Sequence, residues 1–190
     1  MRIIGGIHRG RALAGLGGGD AKAHLRPTSD RVRESLFNLL AHGGYGEPDP
    51  PERAAVLDLF AGTGALGLEA LSRGARTATF VDKGAKALGL LRENIARLGM
   101  GETARVLARD ALRLGAQSGA PFDLVFLDPP YGKALGEKAL AAALAGGWIA
   151  PGALVVWEEA APVLPPPGLT PLDARRYGET VISLFRVSPS

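Results

Sequence analysis

No cysteine occurs among the 190 residues. Disulfides, thiolate nucleophiles and sulfur-ligated metals are therefore excluded, although this alone does not fix the compartment. Histidine is scarce, with three in the chain. His8 and His24 have no second ligand at metal-site spacing, so surface or phosphate contacts are expected of them and no metal site. No apolar run reaches transmembrane length, and Met1-Arg2-Ile3-Ile4-Gly5-Gly6 is not followed by a signal-type core. A cytoplasmic protein with no membrane partner is expected. What is present is globular in character: 46% hydrophobic and 22% charged residues. The length suits one domain with a small appendage, enough to bury roughly 70% of the unfolded surface.

Charge is unevenly placed. The net charge is only +3. Residues 1–33 hold seven Lys/Arg against two acids, hence +5, which leaves −2 for the rest. A basic arm on a near-neutral body points to a polyanionic partner. Within the arm, Arg2–Ile4 and Arg11–Leu13 flank Gly5-Gly6-Ile7-His8-Arg9-Gly10, the pattern of a small hairpin. Residues 14–24, with three consecutive glycines, are expected to be flexible. The division expected is 1–24 as a basic arm and 25–190 as the main domain.

Arg26-Pro27-Thr28-Ser29-Asp30 opens a helix, with Thr28 as the expected N-cap and Asp30 complementing the helix dipole. Val32, Leu36, Leu39 and Leu40 form its apolar stripe, opposite Arg31, Glu34, Ser35 and Asn38. From Ala54 onward strands and helices alternate. Strands are expected at Ala55–Leu59, Thr77–Asp82, Ala104–Ala108, Leu124–Asp128, Ala153–Glu158 and Val181–Val187. Helices are expected at Ala65–Ser72, Ala85–Leu98 and Ala134–Ala145. Such alternation means a mostly parallel sheet with helices on both faces. Pro162 to Pro167 should be a loop.

Two stretches carry chemistry. In the first, Val56 to Leu59 is a strand, and Gly62, Gly64 and Gly67 make a turn into a helix whose free N–H groups face a ligand. Asp82 ends the next strand, 24 residues after Asp58, and is placed to take two ribose hydroxyls. Gly62-x-Gly64-x-x-Gly67 also fits NAD, so this half alone does not decide between NAD and another adenosyl cofactor. Asp58 argues against NAD, because it would repel a pyrophosphate and welcome an ammonium or sulfonium. Asp110 is placed either to accept from an adenine amine or to cap Ala111–Leu114.

In the second stretch, the apolar run Leu124–Leu127 stops at Asp128-Pro129-Pro130-Tyr131. Proline cannot continue a ladder, so these residues turn outward at the carboxyl edge, where open α/β sheets bind ligands. Asp128 offers acceptors only, Pro129 a carbonyl without a donor, and Tyr131 a flat face. Together they form a socket for a planar ring with an exocyclic NH2, whose delocalised lone pair such acceptors would localise. Hydride transfer needs no such socket. The two stretches together suggest S-adenosylmethionine, with Tyr131 and Phe60 in cation–π reach of its sulfonium.

The run from Asp58 to Gly67, Asp82, Asp110 and Asp128-Pro129-Pro130-Tyr131 resemble the ordered motifs of class I, Rossmann-like methyltransferases. With Met1–Gly6, Gly10-Arg11 and Leu25 to Leu40, the chain resembles the bacterial 16S ribosomal RNA guanine-N2 methyltransferases over nearly its whole length. The resemblance implies a mostly parallel seven-stranded sheet and S-adenosylmethionine as cofactor. It further implies that Arg26 to Asn38, including Arg26 and Thr28, close over the methionine end. Asp58 would lie near the cofactor's amino acid, Asp82 at its ribose and Asp110 at its adenine. Asp128 and Pro129 would grip the guanine amine, Tyr131 would stack on the base, and the hairpin residues Arg2, His8, Arg9 and Arg11 would hold RNA. The expected partner is 16S rRNA in the small ribosomal subunit or an assembly intermediate, met by a monomer. The target would be a splayed-out guanine. Competing functions are amino methylation of DNA bases or of protein glutamine, and RNA binding without catalysis. The short chain without a DNA-recognition domain counts against the first, and the intact socket against the last.

Overall fold

The computed structural model describes residues 1–15 and 29–189. Arg26, Thr28, His24 and most of the glycine-rich segment lie outside the described residues. Seven strands form one sheet: β1 Ala55–Leu59, β2 Thr77–Asp82, β3 Ala104–Ala108, β4 Phe122–Leu127, β5 Ile149–Glu159, β6 Leu169–Tyr177 and β7 Thr180–Val187. Their order is β3-β2-β1-β4-β5-β7-β6. The first five are mutually parallel, and β7 runs antiparallel to both β5 and β6. Chain order reverses between β1 and β4, which opens a crevice at their carboxyl ends.

Alternation along each strand sorts the core into two layers. Val56, Leu124, Phe126, Leu154, Val156, Ile182 and Leu184 point to one face. There they meet α1 Asp30–His42, α2 Ala65–Ser72 and α3 Ala85–Leu98. Leu57, Leu59, Val125, Leu127, Val155, Trp157 and Phe185 point to the other face. There they meet α4 Leu135–Ala145 and a 3-10 turn at Ala111–Arg113. Strands covered on both sides are mostly apolar, and Leu124–Leu127 of β4 is such a run, whereas β1 is broken by Asp58.

Several expectations are corrected. The cap of α1 is Ser29, whose hydroxyl accepts from Val32 N, and the helix begins at Asp30, so Thr28 is not the cap. The buried face of α1 is Arg33, Leu36, Phe37 and Leu40. Phe37 packs at a tilt on Phe126, ring centroids 5.7 Å apart, while Val32 and Leu39 lie at the margin of the stripe. β4 ends at Leu127, one residue before Asp128, and β5 starts at Ile149. β6, absent from the expected strands, is an edge strand exposed on most of its length and interrupted by Pro171. It therefore carries neither alternation nor an apolar run.

The amino-terminal hairpin forms, but narrowly. Arg2 and Ala12 make one antiparallel bridge, and Gly6–His8 coil into a 3-10 turn. The pairing stops there because the next donors go elsewhere: Ile4 N and Gly5 N both donate to the buried Glu69 carboxylate at 2.8 Å. His8 N donates to Ser72 Oγ, which in turn donates to Gly5 O. At the exit, Ala14 N donates to Asn94 Oδ1, and Asn94 Nδ2 donates to both Ala14 O and Thr63 O. Ile3 and Leu13 are buried in the same core layer as α2 and α3. Residues 1–15 thus lie along the length of α2. No helix among the described residues is long and apolar enough to cross a membrane.

Candidate active site

The site is built where β1 and β4 end side by side. Their register pairs Leu59 with Leu127, so Phe60 and Asp128 leave the sheet together. Asp128 N donates to Leu59 O at 3.4 Å. After β1, Phe60 takes φ 61, in the left-handed region that a bulky side chain rarely adopts. Such strain persists only where the surroundings impose it, and it clusters at functional sites. Gly62 and Gly64 follow at φ 56 and φ 81.

Asp58 and Asp82 brace this turn. Asp58 is buried at 2% exposure and accepts from Gly67 N at 3.0 Å. A Cβ on Gly67 would come within 2.3 Å of Phe80 and 3.1 Å of the Asp58 carboxylate, so helix and strand meet here only through glycine. Burial pushes the Asp58 carboxyl up to about 7; the Gly67 N–H counters this and the Asp82 charge adds to it. Asp82, half-buried at the end of β2, accepts from Gly62 N and Gly84 N, each at 2.8 Å. Asp110 lies at the head of the Ala111–Arg113 turn. It caps the 3-10 turn, accepting from Leu112 N, while its other oxygen pairs with Lys83 Nζ at 2.8 Å. The Lys83 bond and the Leu112 N–H hold its carboxyl below the usual range.

The donor set suits a cationic adenosyl cofactor. From Asp58 to Ser72 the chain carries no lysine or arginine to meet a pyrophosphate. The carboxylates Asp58, Asp82 and Asp110 instead offer acceptors to amine and hydroxyl protons. The glycine turn lets a ligand approach the backbone.

Across the crevice, Asp128 is half-buried and Pro129 buried. The Asp128 carboxyl is pushed well above its usual range by burial, then by the charges of Glu158, Asp58 and Glu159. Tyr131 is also half-buried, and its hydroxyl donates to Glu158 Oε1 at 2.9 Å and lies 3.3 Å from Thr180 Oγ1. Burial, with Glu158 and Asp128 nearby, raises its pKa, partly offset by Thr180. Glu158 was not among the expected site residues. Its signal was the one that found Asp82 and Asp128: a carboxylate ending an apolar strand.

The RNA-contact candidates are gathered on the hairpin. Arg9 and Arg11 are exposed, and Arg11 Nη1 reaches Arg97 O at 3.4 Å. Arg2 is exposed but lies 3.6 Å from Asp30, and its carbonyl accepts from the buried Arg33. His8 is half-buried. These residues are not in the crevice: the 3-10 turn contacts the carboxyl end of α2, whereas the glycine turn opens its amino end.

Comparison with known proteins fits this geometry. Residues 1–186 match the model of the family described as conserved hypothetical protein 95. Ribosomal RNA small subunit methyltransferase D of Escherichia coli K12 is 44% identical over 158 residues, spanning 83% of this chain and 74% of its own. The protein of that name from Haemophilus influenzae is 35% identical over 191 residues, spanning 98% and 93%. Among solved structures, yhhF from Escherichia coli superposes with TM-score 0.83 at 38% identity, over 100% of this chain and 99% of that one. Hypothetical protein TTHA0928 of Thermus thermophilus superposes at 0.76 with 35% identity, over 99% of each chain. The sheet is that of the Rossmann-like class I methyltransferases, and the chain belongs to the ribosomal RNA small subunit methyltransferase D family.

Proposed function

We propose that this chain methylates ribosomal RNA with S-adenosylmethionine as donor, and that its target is the exocyclic N2 amine of a guanine in the small-subunit RNA. The observation that carries this is the adjacency of Asp128 and the glycine turn at one sheet edge. The register of β1 against β4 leaves no element between them. Family membership supports the rRNA substrate, since the relatives are named for it.

When bound, S-adenosylmethionine supplies an electrophilic methyl on a sulfonium. The chain's own residues do the rest. Asp82 takes the ribose hydroxyls, Asp110 the adenine amine, and Asp58 braces the turn beside the amino-acid end. Arg26 and Thr28, outside the described residues, would meet that end as the family resemblance implies. Phe60, at the head of the glycine turn, offers its ring to the sulfonium. Asp128 and the Pro129 carbonyl accept the two protons of the guanine amine and turn its lone pair toward the methyl. Transfer would form the N–C bond as the methyl's bond to sulfur breaks and leaves a neutral thioether, and the amine nitrogen, cationic at that point, would lose one proton to the Asp128 carboxylate. Asp128 does this only when ionised, against the burial and the neighbouring acids Glu158, Asp58 and Glu159 that raise its pKa. Tyr131 stacks on the base. Arg2, His8, Arg9 and Arg11 engage RNA away from the socket, and the enzyme works as a monomer.

The test is methyl transfer from labelled S-adenosylmethionine to small-subunit rRNA from a strain lacking the endogenous enzyme. N2-methylguanosine at one position is expected by nucleoside mass analysis. Equal labelling of rRNA from a strain that has the enzyme would overturn the specificity, and labelling on another base would overturn the target.

A further inference from the structure

We propose that Glu158, together with Thr180, is a positioning residue of the amine socket: through the Tyr131 hydroxyl it holds the Tyr131 ring at one angle beside Asp128. The proposal rests on taking Asp128 to Tyr131 as the base socket. Pro129 and Pro130 stiffen the backbone only as far as the ring; the side-chain torsions of Tyr131 remain free. Those torsions are fixed from two other strands. Glu158, 5% exposed on β5, accepts the Tyr131 hydroxyl proton at 2.9 Å, and Thr180, the first residue of β7, stands 3.3 Å from the same oxygen. A ring tied at its far end keeps one face ready for a base and loses little freedom when the base arrives.

Glu158 also lies level with Asp128. Leu127 pairs with Trp157, so the next residues along, Asp128 and Glu158, are neighbours. Strand alternation turns both to the face of Phe126 and Val156, where Asp58 also lies. The titratable groups facing Asp128 are Glu158 and Glu159 from β5, Asp58 from β1 and Tyr131 from its own loop. Glu158 thus has two separable effects: an acceptor for Tyr131, and a negative charge beside the carboxylate that must bind the amine while ionised. Glu158→Gln keeps an acceptor and removes the charge. Tyr131→Phe keeps the ring and removes the tether.

The experiment measures kcat, KM for rRNA and the pH profile of kcat/KM for the wild type, E158Q, Y131F, T180V and Y131F/T180V. Thermal midpoints and S-adenosylmethionine affinity are measured alongside. Y131F and T180V should raise KM for rRNA by about three- to tenfold and leave cofactor affinity alone. The double variant should match Y131F, because both changes cut the same tether. E158Q should keep a KM close to wild type and move the acid limb of the profile to lower pH, because the neighbouring charge no longer holds a proton on Asp128. Unchanged KM in Y131F and T180V, or an unmoved acid limb in a folded E158Q, would overturn the proposal. Should E158Q fail to fold, additive losses in Y131F and T180V would do so instead. If the wild type itself transfers no methyl to rRNA, the socket reading beneath it falls and takes this with it.

Discussion

The main-chain nitrogen of Asp128 donates to the carbonyl of Leu59, 3.4 Å away, at the point where both strands leave the sheet. This bond joins the proposed amine acceptor to the residue that precedes the strained Phe60. Removing the Asp128 side chain should leave that backbone contact in place. Asp128→Ala is therefore expected to lower turnover by about 100-fold or more while changing S-adenosylmethionine affinity little. Single-turnover rates and calorimetric titration check this. Equal losses in both would reassign Asp128 to holding the cofactor.

Asp58 makes a prediction about pH. Its folded carboxyl titrates at about 7, against an ordinary 3.8. Between those values the folded chain holds a proton that the unfolded chain has released. Stability from this group is thus present at acid pH, falls as pH rises through about 4 to 7, and is level above. The change is of the order of a few kcal/mol. Asp58→Asn has no such titration and keeps an acceptor for Gly67 N. The thermal midpoint of the wild type, taken relative to D58N, should decline across that window. Parallel curves would mean that Asp58 stays ionised in the folded protein.

Gly67 is where α2 touches β2. A methyl group there meets the Phe80 ring and the Asp58 carboxylate together. Gly67→Ala should cost about 1–3 kcal/mol by overpacking. It should also weaken S-adenosylmethionine binding, since relief requires the helix to lift off the turn. Chemical denaturation and cofactor titration on the same preparation test both. A variant as stable as the wild type would show that Phe80 can swing aside.

Arg9 and Arg11 are exposed on a backbone that Glu69 and Ser72 hold still. Changing both to alanine should weaken rRNA binding, and the slope of log affinity against log salt should become shallower by about two. Cofactor affinity should not move. An unchanged slope would remove these side chains from the RNA-binding surface.

The parts of the molecule that were legible in the sequence are those where one signal had one cause. β2 and β4 are mostly apolar runs that stop at Asp82 and Asp128, β1 runs into a glycine turn, and the expected parallel sheet does bring the ends of β1 and β4 side by side. Other parts were hidden by competing causes. β6 is exposed on both faces and held by backbone pairing to β7, so its side chains carry no pattern. Thr28 and Ser29 are equivalent by chemistry, and only geometry chose Ser29. Arg33 is buried with Nη2 donating both to Asp30, one turn away, and to Arg2 O, thirty-one positions away, and only the first of these partners is visible in a window of the chain. Glu69 was traceable, being a lone carboxylate within the apolar Ala65–Ser72, but its partners at Ile4 and Gly5 lie more than sixty positions away.

The hairpin's fixation along α2 sets a minimum size for any RNA that uses all of the protein. α2 has eight residues, so roughly 12 Å of helix separates the crevice from the turn bearing Arg9. A lone nucleoside or dinucleotide seated in the socket would not touch both places. If Arg9 and Arg11 engage RNA as proposed, methylation of such a fragment should be blind to their loss while that of longer rRNA is not, and the ratio of the two activities becomes a ruler for how far the RNA extends over the enzyme.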